Sequence, residues 1–391
     1  MKRDSRIRPW DWLLIAGAVL APMTGLRIWK IGPAEALCFL WALGRLDIRN
    51  RLKLDPFIRF FCIFMVSMLV GTFICLVIAP QELALSGWAT WLYLAFVTCV
   101  LYRALKSNPL QYNEKLFDRF AMLSVLWYAF LYVYSLTVSR SFLGAELWYS
   151  RMRYSGGGTN PHQVAVLMCG VAFWFTRRIA NRKRILWNTV LFAGALFIEG
   201  ATQSSTGTAA LFLGLLTAAI IYTLRFVRGR TAKSVIIVLE IGLGLIVALI
   251  FRSALYGIVY EWIADDSNGL GRFQLWSSFG AVFVKSPIFG LGPGAHAASY
   301  GRVNEFHNSY LDICAASGLI GLFAFVMFSA RIIRTAVRGD LLLLPIMVCL
   351  YLYGLAGFAF RRLALWVVIA LVTVIALQRR EALNRSCLEI K

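Results

Sequence analysis

The stretch Gly290–Gly321, GLGPGAHAASYGRVNEFHNSYLDICAASGLIG, changes character halfway along. A polar, glycine-rich loop ends at His307-Asn308 and passes directly into an apolar run over residues 307–331. A helix of that length covers the roughly 30 Å of hydrocarbon in a bilayer. Runs of the same kind, roughly 17–25 residues each, recur along the whole chain. Of the 391 residues, 60% are hydrophobic and only 15% charged, and the mean hydropathy is +0.70. A soluble chain of this length carries far more charge. The expected fold is therefore all-α: a single polytopic integral membrane domain over residues 1–391, with about 12 transmembrane helices.

Taken from the apolar runs, the spans fall at 12–29, 31–46, 57–79, 86–103, 120–139, 161–177, 185–202, 207–225, 234–252, 307–331, 340–359 and 363–378. The connecting segments 1–11, 45–59, 102–119, 177–184, 225–233, 331–338 and 379–391 hold 29 of the 40 Lys and Arg residues. Cytoplasmic loops concentrate positive charge, so both termini are expected in the cytoplasm. The net charge of +21 then reports topology rather than nucleic-acid binding, for which no motif is present. Met1–Asp11 is basic and no small-residue cleavage site follows, so no cleavable signal peptide is expected. The eight cysteines fall mostly inside apolar runs, without a CxxC pair or a Cys/His ligand spacing, so neither disulfides nor a metal site is expected. Two larger external loops remain, 139–161 and the main one, 252–306. The second contains Gly271–Pro287, GRFQLWSSFGAVFVKSP, which suits a helix lying on the membrane surface. Long loops in a compact bundle usually carry function.

The three histidines, His162, His296 and His307, all fall on the external side of this threading. His307 is the best placed of them, at the membrane boundary directly after a glycine-rich loop. Histidine takes and returns a proton near neutral pH, although a capping or interfacial histidine would occupy the same place. His162 and His296 read as loop packing or substrate contacts. Arginines on the external side run against the positive-inside rule. Arg140, Arg151, Arg153, Arg252, Arg272, Arg302, Arg361 and Arg362 are all placed there. A planar guanidinium pairs two-pronged with phosphate, so these residues suit an anionic ligand at the bilayer surface; headgroup contact is the alternative for some, Arg361 and Arg362 among them. Arg272 lies four residues before Trp276, on one face if that segment is helical.

Acidic residues inside spans are costly and point to function. Glu199 lies near the outer end of its span, Glu240 deeper, and Asp312 about a turn below Asn308. Asn308 and Asp312, at i and i+4, share a face. Asp312 is thus expected to support Asn308 or an arginine rather than to pair with His307, and Glu35 to cap or hydrogen-bond within the bundle. Gly290, Gly292 and Gly294 spell G-x-G-x-G without a βαβ context, which reads as a flexible or tightly turned loop rather than a nucleotide site. Gly156-Gly157-Gly158 before Asn160-Pro161-His162 reads as a loop leading into a span.

At these residues the chain resembles the O-antigen ligase and Wzy-type polysaccharide polymerase superfamily. The resemblance rests on G-R-x-x-x-W at Gly271, Arg272 and Trp276, on K-S-P-I-F-G-L-G at Lys285–Gly292, and on His307-Asn308 followed at fixed spacing by Gly318 and Gly321. Thr159-Asn160-Pro161 and Gln203–Gly207 agree more weakly. The resemblance implies a metal-independent, cofactor-free membrane glycosyltransferase. Its donor would be a glycan on undecaprenyl pyrophosphate, and its acceptor a sugar hydroxyl presented on a lipid-linked repeat unit or on lipid A-core. It implies His307 as the group that deprotonates or orients the hydroxyl and Arg272 as a stabiliser of the departing pyrophosphate. Arg140, Arg151, Arg153, Asn160, His162, Arg252, His296, Arg302, Asn308, Arg361 and Arg362 are the candidate substrate contacts, with Asp312, Gly318 and Gly321 in support. The implied location is the bacterial inner membrane with the site facing the periplasm.

Polymerase and ligase differ in acceptor alone. The spacing after His307-Asn308 is found in both, and the compact loop before it leans toward polymerisation of O-antigen or exopolysaccharide repeats; ligation is the alternative. A lipid-linked oligosaccharide flippase would also use many spans and buried arginines. Transporters, however, gather charge near the midplane and often show repeated halves, and neither is visible in this sequence.

Overall fold

A computed structural model describes residues 7–28, 31–46, 55–78, 82–227, 229–250, 275–293, 306–357 and 359–389. The chain is all-α, and each of the twelve apolar runs holds a helix. They are α1 (Asp11–Leu20), α2 (Pro33–Arg45), α3 (Pro56–Ile78), α4 (Glu82–Ser107), α5 (Leu110–Thr137), α6 (His162–Ala180), α7 (Ile185–Ala201), α8 (Ser205–Leu224) and α9 (Arg230–Ile250). After the short α10 (Phe279–Phe283) come α11 (Ser309–Gly339), α12 (Leu344–Tyr353) and α13 (Leu363–Glu389). Seven of the described helices, α3, α4, α5, α6, α8, α11 and α13, are long and apolar enough to cross a bilayer, while α1, α7 and α12 are shorter apolar helices. The protein is a multi-pass membrane protein. Exposed apolar side chains such as Val66, Phe73 and Val77 of α3, or Leu126, Phe130 and Val133 of α5, suit a surface bathed in lipid.

Helix limits and hydropathy limits differ in an informative way. Helix α5 starts at Leu110, α11 continues to Gly339 and α13 to Glu389, beyond the apolar runs that predicted them. The extensions QYNEKLFDR, RIIRTAVR and QRREALNR are rich in straight-chain helix formers, which keep the backbone helical outside the hydrocarbon. The opposite holds at the start of the chain. A span over 12–29 is expected, yet α1 stops at Leu20, because Pro22 cannot donate a helical hydrogen bond. With 10 residues, α1 rises only about 15 Å, half of a bilayer core. A 3₁₀ turn (Thr24–Leu26) and an extended Arg27 follow.

The space left above α1 is filled by the 139–161 segment. After a two-residue hairpin (β1, Ser141–Phe142; β2, Ala145–Glu146), the chain from Tyr154 to Gly158 turns back and is buried. The Tyr154 hydroxyl donates to the Tyr128 carbonyl (2.9 Å). The Gly25 N–H donates to the Gly157 carbonyl (2.9 Å), and Thr24 Oγ1 donates to Gln163 Oε1 (2.9 Å). The glycine triplet is a packed wedge. At the centre, α6 and α13 are the most enclosed spans, 78% buried along their apolar windows against 28% for α8. Phe60, Phe325, Phe328, Phe360 and Trp366 join α3, α11 and α13 through ring contacts of 4.6 to 6.2 Å. Among lipid-facing helices, such packing takes over the role that water exclusion plays in soluble cores.

Candidate active site

The approach to His307 is built by a broken helix and the irregular, turned segment that fills the break. Inside α11, Gly318 takes φ 63°, ψ −165° and interrupts the helix. The backbone groups freed there are taken up by the Pro287–Gly292 stretch. Leu319 N–H donates to the Pro287 carbonyl (2.9 Å), Leu291 N–H to the Ala315 carbonyl (2.8 Å) and Gly292 N–H to the Ala316 carbonyl (3.0 Å). On the far side Ser67 Oγ donates to the Ser317 carbonyl (2.6 Å). Gly71 of α3 lets the segment in, since a Cβ there would lie 2.6 Å from the Phe289 carbonyl oxygen. Irregular backbone is tolerated at membrane depth when its polar groups are satisfied by protein. K-S-P-I-F-G-L-G and the two glycines after His307-Asn308 are thus the two halves of one unit. Gly321 stands one turn beyond the break, tight against the Ser317 hydroxyl.

At the top of α11, Asn308 is the N-cap: its Oδ1 accepts from Tyr310 N–H (3.0 Å) and Leu311 N–H (3.2 Å). His307 precedes it at φ 52°. Phe306, fully buried against Phe279, is pinned on both sides. Trp276 Nε1 donates to its carbonyl (2.8 Å), and its N–H donates to Asp312 Oδ1 (3.2 Å). Asp312 therefore supports the backbone leading to His307, where an Asn308 or arginine partner is expected from spacing. Asp312 Oδ2 is buried with no hydrogen-bond partner among the described residues.

A second polar group forms where α6, α8 and α12 end. His162 opens α6, its N–H held by Asn160 Oδ1 (2.9 Å). Its Nδ1 lies 2.8 Å from Ser204 Oγ, the N-cap of α8, and 2.9 Å from the Tyr353 hydroxyl at the end of α12. The weaker motif segments, Thr159-Asn160-Pro161 and Gln203–Gly207, meet at this contact. Tyr353 then leads into the turn that carries Arg361 and Arg362. Burial foremost, then Arg361 and Arg27, push the Arg362 guanidinium down to about 10, and burial with Arg27 lowers Arg361 as well. Three guanidiniums within reach of one another form a strong positive centre. Arg27 is also paired with Glu35, whose Oε2 caps α2 by accepting from Gly32 N–H (3.0 Å).

Ser309 joins the two groups. Its N–H donates to the Gly354 carbonyl (2.8 Å), and its hydroxyl donates to the Gly357 carbonyl (2.5 Å) while accepting from Ala359 N–H (3.0 Å). His307 is thus stitched, two residues away, to the turn between Tyr353 and the arginine pair. The other expected residues lie apart or outside. Arg153 reaches the Thr202 carbonyl (3.4 Å), near Ser204. Arg140 stacks over Trp148, and Arg151 is exposed. Arg252, Arg272, His296 and Arg302 fall outside the described residues. Arg27, Ser204 and Tyr353 are missed by sequence reasoning. The signal for Arg27 was an arginine inside a run read as a span; for Ser204 it was the Gln203–Gly207 motif.

The stretch from α7 to just beyond the break in α11 is also where the chain meets a known family. Glu199, Ser204, Trp276, the Pro287–Gly292 segment, His307, Gly318 and Gly321 all lie in it; His162, Arg27 and the arginine pair do not. No curated protein matches the chain. Residues 190–326 match the model of the O-antigen ligase family, within the superfamily that the chain's motifs resemble.

Proposed function

We propose that the protein transfers a glycan from undecaprenyl pyrophosphate to a sugar hydroxyl at the periplasmic surface of the bacterial inner membrane, with both termini in the cytoplasm. The observation that carries this reading is the convergence at one end of the bundle of His162, Tyr353, Ser204 and the cations Arg27, Arg361 and Arg362, joined through Ser309 to His307. The acceptor oxygen attacks the anomeric carbon, and the carbon–oxygen bond to the pyrophosphate breaks. The hydroxyl proton passes to the His307 imidazole, and undecaprenyl pyrophosphate departs with the electron pair. The charge it gains is stabilised by the guanidiniums of Arg27, Arg361 and Arg362, together with Arg272, the residue that the family resemblance implies for this role. His162, oriented by Ser204 and Tyr353, contacts the donor or acceptor sugar. No metal or cofactor takes part in this scheme.

Repeat-unit polymerisation is the first reading, and ligation to lipid A-core the second, favoured by the description of the matched family. Purified protein given a lipid-linked repeat alone produces a ladder in the first case; modified core, formed only after lipid A-core is added, marks the second. His307→Ala and Arg272→Ala abolish either product while insertion and abundance stay normal. Full activity in either variant removes that residue from the site, and transport without any transfer product returns the flippase reading.

A further inference from the structure

The opposite end of the bundle carries a cleft unlike the rest of that surface. It holds about 380 Å³ between α3, α4, α11 and α13, and is lined by Lys106, Arg331, Arg334, Arg338 and Arg380, with Glu381 as its one acidic side chain. Tyr102, Ile332, Thr373 and Leu377 form its less polar floor. That end is fixed by Arg177, which closes α6 far from His162 and reaches Asp340 just after α11.

Basic residues at a membrane boundary are expected from topology alone, so their partners decide the matter. Several other cations at this end are neutralised within the protein, Arg45 by Asp11, Arg177 by Glu114 and Asp340, Arg178 by Asp118, and Arg379 by Glu114, whereas Arg182 and Arg184 of the α6–α7 turn stand exposed outside any cleft. None of the five lining the cleft makes a hydrogen bond or ion pair among the described residues. Arg331, Arg334 and Arg338 follow one another at i, i+3 and i+7, a like-charge ladder about 10 Å long on a single face of α11. Like charges at that spacing repel one another, and an anion held across them relieves the repulsion. The nearby Asp55 caps α3 through Phe57 N–H (2.9 Å) and Ile58 N–H (3.0 Å), and the cations its carboxylate feels most are Arg103 and Lys106, not the three arginines of α11.

We propose that this cleft binds the phosphodiester headgroup of an anionic phospholipid. The guanidiniums grip the phosphate oxygens, and the apolar floor receives the first carbons of the acyl chains. Basic pockets between transmembrane helices are suited to such headgroups. A free phosphate would satisfy the same cations but leave that floor unused.

The test is native mass spectrometry of the delipidated full chain in neutral detergent, titrated with phosphatidylglycerol, phosphatidylcholine or inorganic phosphate. Phosphatidylglycerol is expected to bind on the order of tenfold or more tighter than phosphatidylcholine. R334Q/R338Q removes that preference, and R182Q/R184Q, which deletes equal charge from the α6–α7 turn, keeps it. Both pairs are on the surface, and an unchanged melting temperature confirms that each variant is folded. Equal binding of the two lipids overturns the proposal, as does equal loss in both variants. Saturation by inorganic phosphate without lipid preference overturns it too.

Discussion

His307 occupies the left-handed region at φ 52°, which costs a non-glycine residue about 1–3 kcal/mol and persists only where the surroundings enforce it. The enforcing contacts are the Asn308 cap on one side and the clamped Phe306 on the other. Trp276→Phe keeps a ring beside Phe306 and deletes only the N–H. One net hydrogen bond is worth about 0.5–1.5 kcal/mol, so kcat falls several-fold, up to about tenfold, with KM and abundance unchanged. Steady-state kinetics check this, and a fall in abundance instead would assign Trp276 to folding. Arg362 obeys a different logic. Its proton affinity is lowered by burial and by two neighbouring cations, so its charge is lost only as pH rises through about 10. Arg362 therefore keeps its charge between about pH 5 and 9, and an acid-side loss of transfer in that range belongs to imidazole. Arg362→Gln is expected to keep the acid limb of the pH profile and raise KM for the lipid-linked donor on the order of tenfold or more, the worth of a hydrogen bond to a charged group.

At the scale of elements, the break in α11 does most to shape the site. Its φ and ψ lie in a region that is essentially restricted to glycine, and a Cβ on Gly318 would meet the Ile288 carbonyl oxygen at 2.2 Å. Gly318→Ala thus loses at least about 1–3 kcal/mol from the backbone alone, with the collision added, and lowers the melting temperature in detergent or prevents folding. Gly200→Ala is the control. Nothing lies within 4 Å of a Cβ there, near the end of α7, so it is neutral or stabilising by up to about 1 kcal/mol. The same element shows what the sequence could reveal. Both motif blocks, Lys285–Gly292 and His307 to Gly321, were visible as patterns, and the helix after Asn308 was legible from its apolar run. That the first block lies in the break of the second was not, because hydropathy and spacing are local signals and this pairing joins α3, α11 and a loop. Nor did hydropathy reveal the early end of α1. Met23, Leu26 and Ile28 are apolar without belonging to an α-helix, so the run hid a proline stop and placed Arg27 inside a span rather than at the site.

Across the whole molecule, the candidate site occupies one end of the bundle and a buried ionic lattice holds the other. Arg177, whose side chain is fully buried, donates to Glu114 Oε1 of α5 (2.7 Å) and to Asp340 Oδ2 between α11 and α12 (2.8 Å). Arg379 of α13 donates to the same Glu114 oxygen (2.7 Å) and lies 3.4 Å from Asp340. α5, α6, α11 and α13 are tied in this way, and the opposite ends of α6, α11 and α13 border the site, so their relative positions at His162 and His307 depend on charges placed a bilayer away. Breaking a buried ion pair from one side strands its partners and costs about 3–5 kcal/mol, whereas removing both sides is far less harmful. Arg177→Met therefore leaves Asp340 with Arg379 alone, an arginine it shares with Glu114, while Glu114 keeps only the longer contacts to Lys183 (3.5 Å) and Arg178 (3.8 Å) besides; it destabilises by about that amount. Adding Glu114→Gln to Arg177→Met restores much of the loss, since Arg379 then serves Asp340 undivided. Melting temperatures of the two variants in one detergent measure the difference. If the double variant melts no higher than the single, the lattice is held by packing of the Arg177 stem and its stacking on Trp174 (4.5 Å) rather than by charge pairing.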